Sequence, residues 1–319
     1  MSALAKKKNH YIWSFHLQRW ATAGKDIWHL TSRGNAAHDS VAGLARSDYF
    51  YKAGSLSPRQ TALIRLCIEQ CDAGVRQFHH RKLDQWLTIQ RHVELIGGSA
   101  LAKHPEFLAA KLAEECNFIE DMHARIENAA RPVLVALEEG TVDVLANNQA
   151  LLRILSYVGH LAFRTRAFRE DIQNRMAKKV TQPDAADADA CRWFLDFMYG
   201  MNTGHSLYEC RGQTTQSLLR TTAAFPFIIS DRPALNVHPS FARDGLPPVH
   251  LDLVVPLSPT LALAVSESNQ YQSGEQLLSG AEVDRLNILQ ASQAAYAIYA
   301  SRKEDIERYR RYVPAHQRG

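Results

Sequence analysis

The chain has 319 residues, of which 46% are hydrophobic, 22% charged and 9% aromatic, a composition that excludes a disordered or fibrous protein. Lysines and arginines number 37 against 33 acidic residues, a formal charge of +4 that permits an anionic partner but falls short of a dedicated duplex-DNA binder. No run approaches the roughly 18 apolar residues that cross a bilayer, the early lysines have no apolar stretch behind them, and five cysteines are too few for a disulfide framework. A cytoplasmic protein with reduced thiols and no membrane partner is expected.

The first fifty residues are rich in aromatics and interrupted by glycine. Residues 11–20 and 26–31 read as strands or strand-and-turn, with turns at Gly24-Lys25 and Arg33-Gly34-Asn35. Ser57-Pro58 opens a helix, serine as N-cap and proline at the first helical position. Three- and four-residue apolar spacing predicts helices over 58–73, 75–95, 105–125, 132–139 and 150–178. Residues 181–190, TQPDAADADA, are small and acidic and read as a linker, dividing the chain into segments 1–180 and 191–319 packed as one unit. Beyond it FPFIIS, LDLVVPL and LALAVS are strand-like, 281–299 is helical, and RKEDIERYRRY reads as a solvated helix end. The order predicts an α+β fold: N-terminal strands, a central helical region, and a C-terminal β-rich region with a closing helix.

The most distinctive segment is NHYIWSFHLQRWA. Strand alternation would put His10, Ile12, Ser14 and His16 on one face and Tyr11, Trp13, Phe15 and Leu17 on the other. An imidazole titrates near neutrality, so His10 or His16 is a candidate proton carrier; the alternative is that they bond to backbone or sit at an exposed edge.

This segment, His10 to Trp20, resembles the HYVPxFYLRxF start of an uncharacterised group, domain of unknown function family 4238, with Trp13 for the usual proline and His16 for the usual tyrosine. Further likenesses follow in order: Asp48-Tyr49-Phe50-Tyr51 to an aromatic FY step, Arg125-Ile126-Glu127 to a helical I-E pair, and Phe163-Arg164-Thr165-Arg166 with Phe168-Arg169 to RTPxFR, Arg166 replacing proline. Phe227 to Pro233 resembles FITSDNPV, Pro256-Leu257-Ser258-Pro259 resembles PLSP, and Leu286-Asn287 matches an LN pair. The resemblance spans nearly the whole chain and implies no settled activity.

The same motifs have a physical reading. Arg164, Arg166 and Arg169 are spaced guanidiniums on one expected helix, suited to phosphate or carboxylate, or else a solvated face paired with Glu170 and Asp171. Glu127 sits beside the apolar stripe Ile126, Ala130, Val133, Leu134 and Leu137 and needs a cation, most simply one of those arginines. Ser230 and Asp231 end a buried strand, where a hydroxyl can meet an anion and a carboxylate can do catalytic work; Asp231 is also an ordinary turn-former. Cys67, Cys71, His79 and His80 lack a zinc spacing, and HExxH, Walker, GxGxxG and GxSxG signatures are absent, so neither metal nor cofactor is expected. GMNTGHS, with His205 as a further candidate, reads as a loop.

Two functional readings follow. The first is a hydrolase or nuclease-like enzyme acting on a phosphate-containing substrate such as RNA: His10 as general acid or base, Glu127 and Asp231 orienting it, and Arg164, Arg166 and Ser230 holding the substrate. The second is a non-catalytic module that recognises an anionic ligand or partner protein. Either expects His10, Glu127, Arg164 and Asp231 in one pocket, with an acid paired to Arg164.

Overall fold

A computed structural model describes residues 4–22, 24–179, 181–239, 250–268 and 270–314. Strand β1 (Lys8–His10) is followed by a short helix α1 (Ser14–Leu17), the hairpin β2 (Asp26–Leu30) and β3 (Ala36–Ser40), and β4 (Arg46–Asp48), which pairs antiparallel with β1. Residues 11–20 are therefore not a strand. The buried positions Ile12, His16, Leu17 and Trp20 follow helical spacing, and Trp13 opens the turn by accepting from the amides of His16 and Leu17. Tertiary bonds fix this departure from local strand preference: His16 Nε2 reaches the Pro256 carbonyl at 2.9 Å and Trp20 Nε1 donates to that of Phe227 at 2.8 Å.

The helical middle begins as the sequence predicts. Ser57 and Gln60 form a capping box on α2 (Pro58–Glu69), and α3 (Ala73–Gly97) follows, capped by Asp72. Helix α4 (Pro105–Glu138) then runs unbroken through Pro132, where two separate helices are expected. An internal proline costs about 3 kcal/mol. Burial of Val133, Leu134 and Leu137 just beyond it offsets this, each contributing about 1.5–3 kcal/mol. The expected 150–178 helix is in fact two, α5 (Asn148–Phe163) and α6 (Arg166–Lys179). Thr165 makes the break, its hydroxyl accepting from the Phe168 amide as an N-cap does. The expected linker is helix α7 (Gln182–Ala190), capped by Thr181 and tied to α2 by Arg59 through Asp184 and Asp187. GMNTGHS lies within α8 (Arg192–Glu209), not in a loop.

That motif explains how α8 packs. Gly159 of α5 faces Gly200 and Gly204: a Cβ on Gly159 would collide with the Gly200 carbonyl and lie 2.5 Å from the Gly204 nitrogen. The two backbones approach this closely only because none of the three carries a side chain.

The C-terminal region supplies β5 (Thr215–Arg220), β6 (Ile229–Ser230), β7 (Leu235–Asn236), β8 (Asp252–Ser258), β9 (Leu261–Ser266), β10 (Gly274–Leu277), α9 (Gly280–Gln293), β11 (Ile298–Ala300) and α10 (Lys303–Tyr309). A five-stranded sheet has the order β10-β5-β9-β8-β7, antiparallel except for the β10–β5 pair. A four-stranded antiparallel sheet, β3-β2-β11-β6, joins the N-terminal hairpin to the C-terminal strands. The closing helix thus stops at Gln293, and 298–300 is strand. The charged tail is not merely solvated, since Ile306 and Tyr309 of α10 bury against Leu30, Ile228 and Ile298. The largest core draws Ile12 and Trp20 together with Val133 and Leu134 of α4, Ile154 and Val158 of α5, and Leu263 and Tyr299, so the α+β architecture shares one interior between both ends of the chain. Among the described residues no helix is long and apolar enough to cross a membrane.

Candidate functional site

Ending α5 at Arg164 turns its side chain inward, where it is almost fully buried. Nη1 pairs with Glu127 of α4, Nε donates to the Tyr51 hydroxyl at 3.0 Å, and Nη2 donates to the His10 carbonyl at 2.6 Å. The Tyr51 hydroxyl in turn faces the carbonyls of His10 and Arg164, each at 3.3 Å. Burial pulls Arg164 down, but Tyr51, Glu127 and Glu120 carry it above its ordinary value, so it stays charged. Burial pushes Glu127 up while Arg164 holds it down, and burial likewise raises Glu120, whose Oε2 is enclosed without a hydrogen-bond partner. This is a buried ion pair with its remaining donors satisfied by a phenol and a main-chain carbonyl, which clamps α5, α4 and β1 together.

Glu127 and Arg164 therefore meet as the sequence suggests, but His10 joins them through its backbone. Its half-buried imidazole is held below its ordinary value by burial and then by Arg46. Asp231 lies elsewhere, accepting from the amides of Ala295, Tyr296 and Ala297 at 2.8, 2.5 and 3.1 Å. Burial pushes its carboxyl up to about 7, with the Ala295 and Ala297 amides pulling against it. Ser230, expected as a ligand donor, is wholly enclosed: its hydroxyl accepts from Gln290 Nε2 at 2.5 Å and from the Arg232 amide, and donates to the Arg232 carbonyl at 3.1 Å. No face of Ser230 is left for a ligand. Arg166 is at the surface, paired with Glu170 at 2.7 Å and lying 5.0 Å over the Tyr296 ring, whose hydroxyl donates to Glu170. Asp231 and Arg166 thus meet through Tyr296, and neither joins Arg164.

Several partners escape sequence reasoning because they are distant along the chain. Arg169 pairs with Asp196 at 3.1 Å, and Asp196 also meets Arg192 at 2.6 Å. His123 and His160 stand 5.2 Å apart, ring to ring, beside Phe197, and both nitrogens of His160 are buried without a partner. Burial drives His160 and His16 down to about 3, so both are neutral. His16 has its proton on Nε2, because Pro256 offers only an acceptor; Nδ1 accepts from the Tyr157 hydroxyl at 2.8 Å. His79 bonds Asn202 and His80 bonds Glu69, each at 2.8 Å, while His205 meets Asp72 at 3.1 Å.

A cleft lies beside the four-stranded sheet. The β2–β3 turn, with Gly34 at a φ of +78°, presents Thr31 and Arg33. Burial of Ile306, Tyr309 and Val313 pins the 3₁₀ turn Arg310–Tyr312 beside it. Between them is a cleft of about 350 Å³ lined by Leu30, Thr31, Arg33, Gly34, Tyr296, Arg310, Arg311 and Val313. Among the described residues, no ion pair joins Arg33, Arg310 or Arg311 to a carboxylate; Arg311 donates instead to the Tyr312 hydroxyl at 2.9 Å. Three guanidiniums around one concavity with no carboxylate partner among the described residues focus positive potential there. Tyr296 on its wall is the residue whose backbone amide Asp231 holds and whose ring Arg166 lies over.

The family model described as Protein of unknown function (DUF4238) matches residues 8–304, and the chain belongs to that family. No curated protein and no solved structure matches it.

Proposed function

We propose that this member of the DUF4238 family is a non-catalytic module that binds a phosphate-bearing anion in the cleft of Arg33, Arg310 and Arg311. The observation that carries the reading is the convergence of these three arginines, from distant parts of the chain, on one concave wall that holds no carboxylate among the described residues. Planar guanidiniums pair bidentately with phosphate oxygens, and a turn fixed by Gly34 and a second pinned by buried Val313 limit the entropy lost on binding. Binding is favoured over hydrolysis because, among the described residues, the cleft lining offers no imidazole or carboxylate to carry a proton. The Glu127–Arg164–Tyr51 cluster serves as the internal clamp that fixes the helices on which the module is built.

Titration calorimetry with inorganic pyrophosphate tests this. Binding is expected at low ionic strength, weakening as salt screens the cleft, and lost in the Arg33→Gln/Arg311→Gln double variant. Equal heats from wild type and double variant would refute the reading.

A further inference from the structure

We propose that the ligand of this cleft is a nucleoside monophosphate, its phosphate on the arginines and its base on Tyr296; this rests on the reading of the cleft as an anion site. Size is the first argument. The cleft's 350 Å³ falls at the small end of organic-ligand pockets, which run from about 300 to 1,000 Å³, and a bare phosphate would leave most of it unfilled. The lining is also two-sided: beside the arginines stand Leu30, Val313 and the Tyr296 ring, an apolar wall that a free phosphate cannot use.

Tyr296 is the second argument. It is 40% exposed, yet it is not a loose surface ring. Its amide is held by Asp231, its hydroxyl by Glu170, and Arg166 lies against the ring. A ring fixed at its backbone and its tip is a preorganised stacking platform, and any base can stack on it. Thr31 is the third. Its hydroxyl oxygen accepts from the Asn35 amide at 3.2 Å, which leaves its own proton to donate to a ribose or phosphate oxygen. Phosphate, sugar and base each find a chemically matched wall, and the cleft's 350 Å³ is of the order of one nucleotide.

Calorimetry on the full chain with AMP, inorganic phosphate, ribose 5-phosphate and phenyl phosphate separates the possibilities. AMP is expected to bind at least tenfold more tightly than phosphate or ribose 5-phosphate. Tyr296→Leu should abolish that advantage while retaining phosphate binding, and Tyr296→Phe should keep it. AMP binding no tighter than phosphate would overturn the nucleotide assignment and leave the anion site standing. Phenyl phosphate binding as tightly as AMP would also overturn it, in favour of an aryl phosphate. Failure of every phosphate would instead overturn the underlying reading.

Discussion

Arg164→Ala tests the internal clamp. The substitution leaves the Glu127 carboxylate in a site that burial already disfavours, and breaking such a pair costs about 3–5 kcal/mol. It also strips the His10 carbonyl of its closest donor, although the Tyr51 hydroxyl at 3.3 Å can replace part of that bond, so about 1 kcal/mol is added. The total is about 5 kcal/mol, a third or more of what holds a typical domain together. An unfolding entropy of about 2.1 cal/mol/K per residue over 319 residues comes to about 0.7 kcal/mol/K, so the melting temperature should fall by about 7 °C. Circular dichroism melts at neutral pH read this directly. The cycle with Glu127→Gln supplies the control: Arg164→Ala/Glu127→Gln should be about 2 kcal/mol more stable than the sum of Arg164→Ala and Glu127→Gln predicts, because no charge remains stranded. A fall below about 2 °C for Arg164→Ala, or strict additivity in the cycle, would refute the clamp.

Three further outcomes follow from the same packing. Gly159→Ala drives a methyl group into the backbone of α8 and should cost at least about 3 kcal/mol in urea denaturation; an unchanged midpoint would mean the helices are not in contact there. His160 has a folded value near 3 against 6.5 when unfolded, so its stabilising effect is complete above pH 6.5 and is lost as pH falls towards 3. His160→Leu should therefore flatten the fall in stability between pH 6 and 4 by about 1.4 kcal/mol per pH unit, and parallel profiles would exclude a neutral buried imidazole. Asp231→Asn cannot accept from all three loop amides as strongly, so it should lose about 2 kcal/mol and weaken AMP binding through Tyr296 while leaving phosphate binding in place; a stability loss with unaltered AMP binding would separate that loop from the cleft.

The α+β order, the Ser57 cap and the strands at 26–30, 252–258 and 261–266 were legible because each rests on local chemistry: a capping residue, a proline at its first turn, an apolar run between polar residues. The Glu127–Arg164 pair was legible for a related reason, since a charge beside an apolar stripe requires a countercharge. The errors arose where tertiary contacts overrode local preference. Aromatics at 11–20 favour a strand, but Pro256, Tyr157 and Phe227 hold His16 and Trp20 in a helical turn. At Arg164-Thr165 a threonine with an open amide three residues on signalled a new helix start within the apolar run. The GxxxG spacing at Gly200 and Gly204 marked a close helix contact, although glycine also suits loops. Nothing local links Arg33 with Arg310 and Arg311; only the pairing of β2 with β11 and the return of α10 bring them to one edge.

The most direct measurement is a crystal structure grown with tungstate, an electron-dense tetrahedral oxyanion that stands in for phosphate. The account predicts an anomalous peak in the cleft, placed so that tungstate oxygens lie within about 3 Å of the guanidinium nitrogens of Arg33 and of Arg310 or Arg311. A peak beside Arg166 or the His10 ring, with this cleft empty, would contradict it.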